Sequence, residues 1–406
     1  MRVLMFGWEF PPRLSGGLGR VCQALTGALA RRGCRVTFVA PTVAGDEAPA
    51  GVTLLSPPPT ADATGPRAEG GRRRWSLHPY RRRRPSSGPA GWSYLAGDGV
   101  YGEDLMAEVE GFGERAAALV EGEDFDVIYG HDWMTVPACL RVKRLKGRPY
   151  VFHCHSLEYD RGVFPDDEIA AVEREGLKAA DVVIAVSRYT KERIVRLHGI
   201  AEEKVVVVHN GVDEPARPLP AVRGEGEEKV VLFLGRVTYQ KGPEYFVEAA
   251  ARVLGEMPEV TFVMAGTGDL LPRMVERVAE LKIGRRFRFT GFLEGEDLER
   301  ILSESDLLVM PSVSEPFGLA ALEALVRGVP VCVSRTSGVA EVVESAVKVD
   351  CSDAAAMAGR IVDLLRDPAL RREMARKARE EIKGLTWEAA SGRIMAVLEG
   401  LRGGGA

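Results

Sequence analysis

Little in this chain would tie it to secretion, to a membrane or to nucleic acid. Its six cysteines, at 22, 34, 139, 154, 332 and 351, include no C-x-x-C pair and sit mostly among apolar residues. They read as buried thiols of a reducing cytoplasm, where the protein is expected to reside, rather than as a disulfide framework. No run of 18 apolar residues occurs, so a transmembrane helix is not expected. Met1-Arg2 leads straight into an apolar strand, Val3 to Phe6, and no secretory leader is expected. Charge is nearly balanced, 54 basic against 58 acidic residues for a net −4, which leaves no global signal for a nucleic-acid partner. Nor does a G-x-G-x-x-G fingerprint follow the first strand. The insertion WEFPPRLS separates Gly7 from Gly16, which argues against a dinucleotide oxidoreductase.

What is present is a long α/β chain. A length of 406 residues with 46% hydrophobic content accommodates two ordinary domains with their own cores. Short apolar strands alternate with helical segments in both halves, the pattern of parallel doubly wound sheets. RVLMFG opens the first half and VVLFLG the second, each followed by a glycine-containing loop and a helix. Between them Asp213 to Lys229 concentrates Pro, Gly and charge, the composition of a linker. The expected division is an N-terminal domain over 1–215, a C-terminal domain over 216–383 and a closing helix within 384–406. A cleft between the halves is the expected site.

One stretch breaks the alternation. Residues 45–90 hold eight of the 24 prolines, and 66–84 carry eight arginines against one glutamate. The region 45–95 therefore reads as a surface loop inserted in the first domain. Its functional reading is peripheral contact with an anionic membrane face or an anionic acceptor through 66–84, with Trp75, Tyr80, Trp92 and Tyr94 suited to sugar or interface contact.

The densest chemistry lies in PSVSEPFGLAALE, Pro311 to Glu323. Val309 to Ser312 reads as the end of a buried strand, Pro316 and Gly318 as a tight loop, and Ala320 to Arg327 as a helix. The amides of Phe317, Gly318 and Leu319 would then face outward at a helix N-terminus, a favourable place for phosphate. If Glu315 and Glu323 shared a continuous helix they would stand about 12 Å apart. Glycosidase carboxylates are roughly 5 to 10 Å apart across one bond, so the two acids suit opposite ends of a nucleotide sugar better than acid–base work. Glu315 would hold sugar hydroxyls and Glu323 the ribose. Upstream, the apolar strand Val230 to Leu234 runs into Gly235-Arg236-Val237-Thr238-Tyr239-Gln240-Lys241-Gly242. Ligands bind off the carboxyl ends of such strands, where Arg236 and Lys241 could neutralise a departing diphosphate.

GRVTYQKG, AGTGDL and PSVSEPFGLAALEAL together resemble the C-terminal half of a GT-B glycosyltransferase of the retaining group 1, family 4 type, related to glycogen and starch synthases. FGWEFPPRLSGGLGR, HDW, FHCHSLEYDR, SRYTKE and HNGVD follow that family's order through the N-terminal half, so the resemblance covers nearly the whole chain. It implies two Rossmann-like domains facing across a cleft, with the last helix packed back on the first domain. It implies transfer of a hexose from a UDP-, GDP- or ADP-sugar to a hydroxyl on a glycan, a lipid-linked sugar or a small molecule, with no cofactor and no metal. Gly16 and Gly17 match the family's glycine loop at the donor, and His155 matches its active-site histidine. His131 and Asp132 shape the site after a strand read as Phe125 to Tyr129. Leu14 stands where glycogen synthases carry a lysine, which weighs against ADP-glucose-dependent glucan elongation.

One further reading is set aside and one stays open beside it. His153, Cys154 and His155 invite a metal, but the set on one strand face is incomplete and no second Cys/His cluster of metal spacing follows. A nucleotide-sugar epimerase or a non-catalytic binding protein would share the fold, because fold does not determine chemistry.

Overall fold

The computed structural model describes residues 1–11, 17–43, 48–58, 105–214 and 228–403. Gly16, Leu14 and the arginine-rich 66–84 with its neighbouring aromatics lie outside the described residues. In the first half the elements are β1 (Arg2–Phe6), α1 (Gly17–Arg31), β2 (Arg35–Val39), β3 (Val52–Leu55), α2 (Leu105–Leu119), β4 (Val127–His131), α3 (Val136–Lys146), β5 (Tyr150–Cys154), α4 (Asp167–Ala179), β6 (Val182–Ala185), α5 (Arg188–His198) and β7 (Val205–Val207). The second half runs β8 (Val230–Leu234), α6 (Pro243–Glu256), β9 (Thr261–Ala265), α7 (Leu271–Glu280), β10 (Phe287–Gly291), α8 (Gly295–Ser303), β11 (Leu307–Met310), α9 (Leu319–Val326), β12 (Val331–Ser334), β13 (Val347–Val349), α10 (Ala354–Arg366) and α11 (Pro368–Ile382), then α12 (Trp387–Gly403).

The strands form two parallel sheets. Their orders are β3-β2-β1-β4-β5-β6-β7 and β10-β9-β8-β11-β12-β13, the GT-B arrangement of two doubly wound sheets. Central strands such as β4 and β5 are buried along their whole length, as expected where helices cover both faces of a parallel sheet. In each sheet the order reverses at the first strand of its half: β1 lies between β2 and β4, and β8 between β9 and β11. A crevice opens at the carboxyl ends of strands at such a switch point. The loops after β1, β4, β8 and β11 are therefore the ones that build the site.

The closing helix α12 returns to the first half. Ala390, Ile394 and Leu398 pack into the core under β1 and α1, Trp387 meets Val21 and Ala28, and Arg31 reaches Glu388.

Three boundaries differ from the sequence reading. Strand β4 runs Val127–His131, two residues further than Phe125 to Tyr129, so His131 ends a strand instead of following it. Strand β11 stops at Met310, and α9 begins at Leu319. Glu315 consequently stands in an extended segment bridged to Ser337, outside any helix, and the helical rise between Glu315 and Glu323 does not apply.

Candidate functional site

A cavity of about 290 Å³ opens between the two sheets at the carboxyl ends of their strands. It gathers Gly17, Asp132 and His155 from the first half with Arg236, Lys241, Glu315, Phe317, Gly318, Leu319 and Glu323 from the second. The sequence-selected residues within the described part, His131 excepted, thus line one space.

The lower wall comes from the loops after β8 and β11. Lys241 Nζ makes an ion pair with Glu315, whose Oε2 also accepts from Ser312 Oγ at 3.2 Å. Glu315 is 5% exposed, and its backbone is held by Thr336 and Gly338. Lys241 and Glu315 thus act as one unit, where the sequence suggested two separate contacts. Arg236 Nη2 donates to Gln240 Oε1 at 3.1 Å. The turn that presents Arg236 rests on the AGTG segment, because a Cβ on Gly266 would lie 1.8 Å from the Gly235 carbonyl oxygen. Only glycine lets these two loops approach so closely.

Helix α9 supplies the next surface. Gly318 precedes it with φ 108°, a conformation that favours glycine. Among the described residues the amides of Phe317, Gly318 and Leu319 have no acceptor within the chain, as the sequence suggested. The buried Phe317 ring stacks on His209, 5.7 Å between centroids. Glu323, one turn into α9, meets Arg20 Nη1 of α1 at 3.4 Å. Burial raises its pKa, and Arg20 and Arg327 oppose that rise. Gly17 stands at the start of α1, where a Cβ would come 3.3 Å from the Leu319 side chain, so the two helix N-termini face each other across the cleft.

The upper wall presents His155, with His131 and His153 buried behind it. His131 ↔ His153 are cross-strand partners on β4 and β5, and His155 follows β5. His131 Nδ1 and His155 Nε2 lie 2.8 Å apart, Tyr129 Oη and His153 Nδ1 also 2.8 Å, and the ring nitrogens of all three come within 4.8 Å of one another. Burial keeps these imidazoles neutral, holding His131 down to about 3 and His155 well below the ordinary range. Spacing alone could not reveal this trio, because His131 joins it only through strand pairing. Three imidazole nitrogens can ligate a divalent ion, but here two of them already share a hydrogen bond, and Cys154 points into the core on the other face. Asp132, with φ 57°, accepts from the amides of His155 at 2.7 Å and Ser156 at 3.4 Å and so positions His155. Burial pushes its carboxyl up to about 7 against the pull of Arg161 and those amides.

Other residues went unmarked in the sequence. Glu9, Arg20, Arg161, Asn210 and Phe292 line the cavity. A polar seam also joins the halves. Glu341 accepts from the amides of Arg188 and Tyr189 at the N-terminus of α5 and from His209 Nε2 at 2.6 Å. Ser187 Oγ donates to the Pro316 carbonyl at 2.5 Å, and Tyr189 Oη meets Ser314 Oγ at 2.7 Å. The motifs SRYTKE and HNGVD were the available signal. They contribute mainly to this seam, with Asn210 facing the cavity.

Comparison with known proteins agrees with the geometry. Residues 219–381 match the family model for glycosyl transferases group 1, and residues 16–211 match a glycosyl transferase 4-like domain. An uncharacterised glycosyltransferase of Methanocaldococcus jannaschii is 32% identical over 362 residues, 86% of this chain and 84% of the relative. A glycogen synthase of Mycobacterium tuberculosis is 28% identical over 94% of this chain and 90% of its own length. Among solved structures, a sucrose-phosphate synthase from Thermosynechococcus elongatus has the same fold with TM-score 0.77 at 21% identity, covering 99% of both chains. The Anabaena protein HepE in complex with UDP-glucose aligns with TM-score 0.70 at 17% identity over 98% of this chain and 100% of its own. No helix among the described residues is long and apolar enough to cross a membrane.

Proposed function

The chain belongs to the group 1 glycosyltransferases, and from that premise we propose that it moves a hexose from a nucleotide-diphosphate sugar to a hydroxyl acceptor with retention of anomeric configuration. The observation that carries the reading is the Lys241–Glu315 pair set beside the unpartnered amides that open α9. A diphosphate bound there meets a helix N-terminus and two cations, Arg236 and Lys241. As the glycosidic bond to the diphosphate breaks, negative charge grows on the leaving phosphate and positive charge on the sugar ring. Fixed donors aimed at the phosphate stabilise that separation. Glu315 orients Lys241 and offers its remaining acceptor capacity to the sugar hydroxyls. Glu323 accepts from the ribose. The acceptor hydroxyl adds from the face the phosphate has left and passes its proton to a phosphate oxygen. His155, neutral and held by Asp132 and His131, lines the sugar end.

The acceptor is a glycan, a lipid-linked sugar or a small molecule. Glucan elongation from ADP- or UDP-glucose is the second reading, favoured by the likeness to a glycogen synthase along 94% of the chain. A thermal-shift panel of UDP-, GDP- and ADP-sugars on the wild type and Glu323→Ala, followed by product analysis with candidate acceptors, tests both. A donor-specific rise in melting temperature that the variant loses, with an α-linked product, supports the proposal. Conversion of the donor to an isomer without any acceptor points instead to an epimerase. No shift with any donor overturns donor binding at this cleft.

A further inference from the structure

Behind α9, at the end away from the cleft, lies a second cavity of about 520 Å³. One wall is α11 with its C-terminal cap, along which Arg372, Arg376 and Arg379 of the helix and Lys383 at the cap recur at intervals of four, three and four residues and so share a face. Buried Ala375 between them leaves room. Arg327 and Arg371 form the floor. Six cations line the space against three acids, Glu214, Asp306 and Glu380, and donor chemistry uses none of them.

The floor and the wall differ in kind. Arg327 is fixed by Glu299, with Nε to Oε2 at 2.9 Å, and Arg371 by Asp306 at 3.2 Å and the carbonyls of Leu364 and Leu365 at 2.9 Å. Both arginine side chains are largely enclosed and neutralised by a carboxylate, Asp306 enclosed as well and Glu299 partly exposed. On the wall, Arg376 meets Glu373 of its own helix at 2.9 Å, Arg379 meets Glu214 at 3.1 Å, and Lys383 meets Glu380 at 3.6 Å, every partner more than two-fifths exposed. Arg372 has no hydrogen-bonded or ion-pair partner among the described residues. Exposed pairs of this sort contribute little, so the wall donors can turn to a ligand at small cost. An arginine fork matches the oxygens of phosphate better than those of any neutral ligand.

We infer that this cavity binds a small phosphorylated anion, a sugar phosphate or an inorganic diphosphate, at a site separate from the cleft. Its position gives such a ligand a bearing on the donor: α9 carries the cleft amides at one end, and at the other Arg327 Nη1 donates to the Glu323 carbonyl at 2.6 Å.

Calorimetric titration of inorganic pyrophosphate and of glucose 6-phosphate into the wild type, Lys241→Ala and Arg372→Ala/Arg376→Ala tests the assignment. Both arginines are exposed, so the double variant should keep the wild-type melting temperature. Binding should survive in Lys241→Ala, weaken on the order of tenfold or more in the double variant as charge-assisted bonds are lost, and weaken in the wild type as salt is added. The tighter of the two probes identifies the ligand's chemistry. An isotherm for the double variant that matches the wild type overturns the inference. So does wild-type binding that disappears entirely in Lys241→Ala, or no saturable binding at millimolar probe. The Lys241→Ala arm reads the cleft independently, so failure of the donor proposal and failure of this site give different patterns.

Discussion

Arg20 Nη1, on the first helix, lies 3.4 Å from Glu323 Oε1, 303 residues later on α9. The contact links the two halves at the cleft cavity, which both residues line. It also occupies the carboxylate expected to receive a ribose hydroxyl. Donor binding must therefore share or replace this pair. Glu323→Ala should raise the donor KM by on the order of tenfold, the cost of a hydrogen bond to a charged group, with a smaller effect on kcat. Arg20→Ala should leave donor affinity equal or tighter. A tenfold loss of affinity in Arg20→Ala would show that Arg20 contacts the donor itself.

Lys241 and Glu315 should fail together. Lys241→Ala is expected to lower kcat by on the order of a hundredfold or more, as removal of one preorganised electrostatic donor does. If Glu315 acts largely by holding Lys241, the double variant Lys241→Ala/Glu315→Ala will be little slower than Lys241→Ala alone. Steady-state kinetics on the three proteins decides it, and full additivity of the two losses would separate their roles.

Asp132 and the histidines above it give opposing pH dependences. His131 is held down to about 3 in the fold, so between that value and about 6.5 the unfolded chain binds the proton the native state refuses, and its contribution to stability falls as pH falls. Asp132 is pushed up to about 7, so from there down to about 4 the native state holds a proton the unfolded chain has released, and stability rises as pH falls. Asp132→Asn removes only the second effect. Its stability should therefore drop more steeply than the wild type on acidification from about 6.5 to 4, by at most about 1.4 kcal/mol per pH unit for one proton. Urea midpoints across that window measure the slopes, and parallel curves would contradict the assignment.

Glu341 caps α5 from the other half of the molecule. Burial raises its pKa, but the bonds from His209 and the amides of Arg188 and Tyr189 outweigh this and leave it below the ordinary range. Glu341→Ala leaves those donors unmet and should destabilise the protein by about 1 to 2 kcal/mol, the usual cost of a lost cap. Because the lost contacts join the halves, donor KM should also rise. Denaturant midpoints and kinetics on one preparation test both.

Gly266→Ala should be poorly tolerated although it removes no side chain. Its Cβ would lie 1.8 Å from the Gly235 carbonyl oxygen, and the loop carrying Arg236 would have to move. Loss of donor-induced thermal stabilisation is expected even where the variant folds. Unaltered donor binding would show that the Arg236 loop tolerates displacement.

Much of the architecture was legible in the chain. Apolar runs such as Val230–Leu234 mark a buried parallel strand because both faces are covered, and that signal is local. The repetition of strand, glycine loop and helix at Arg2 and again at Val230 announced two similar halves with a cleft between them. The residues of the cleft were legible for the same reason, since any motif at a strand's carboxyl end must face it. Boundaries were less so: β4 extends through His131 because tertiary pairing with β5 continues past Tyr129, where composition alone suggested an end.

The partners of those residues were decided elsewhere. That Lys241 meets Glu315, that His131 joins His155, that Arg20 reaches Glu323 and that Glu341 caps α5 depend on strand order and on how two sheets approach each other. Helical and strand periodicities report which side of an element is apolar within a few residues. They carry no information about which distant charge will stand opposite. Local pattern suffices for two doubly wound sheets, the cleft between them and the residues at its rim. Which of those residues pair is fixed by the packing of the sheets, because a side-chain contact exists where surfaces far apart in the chain meet.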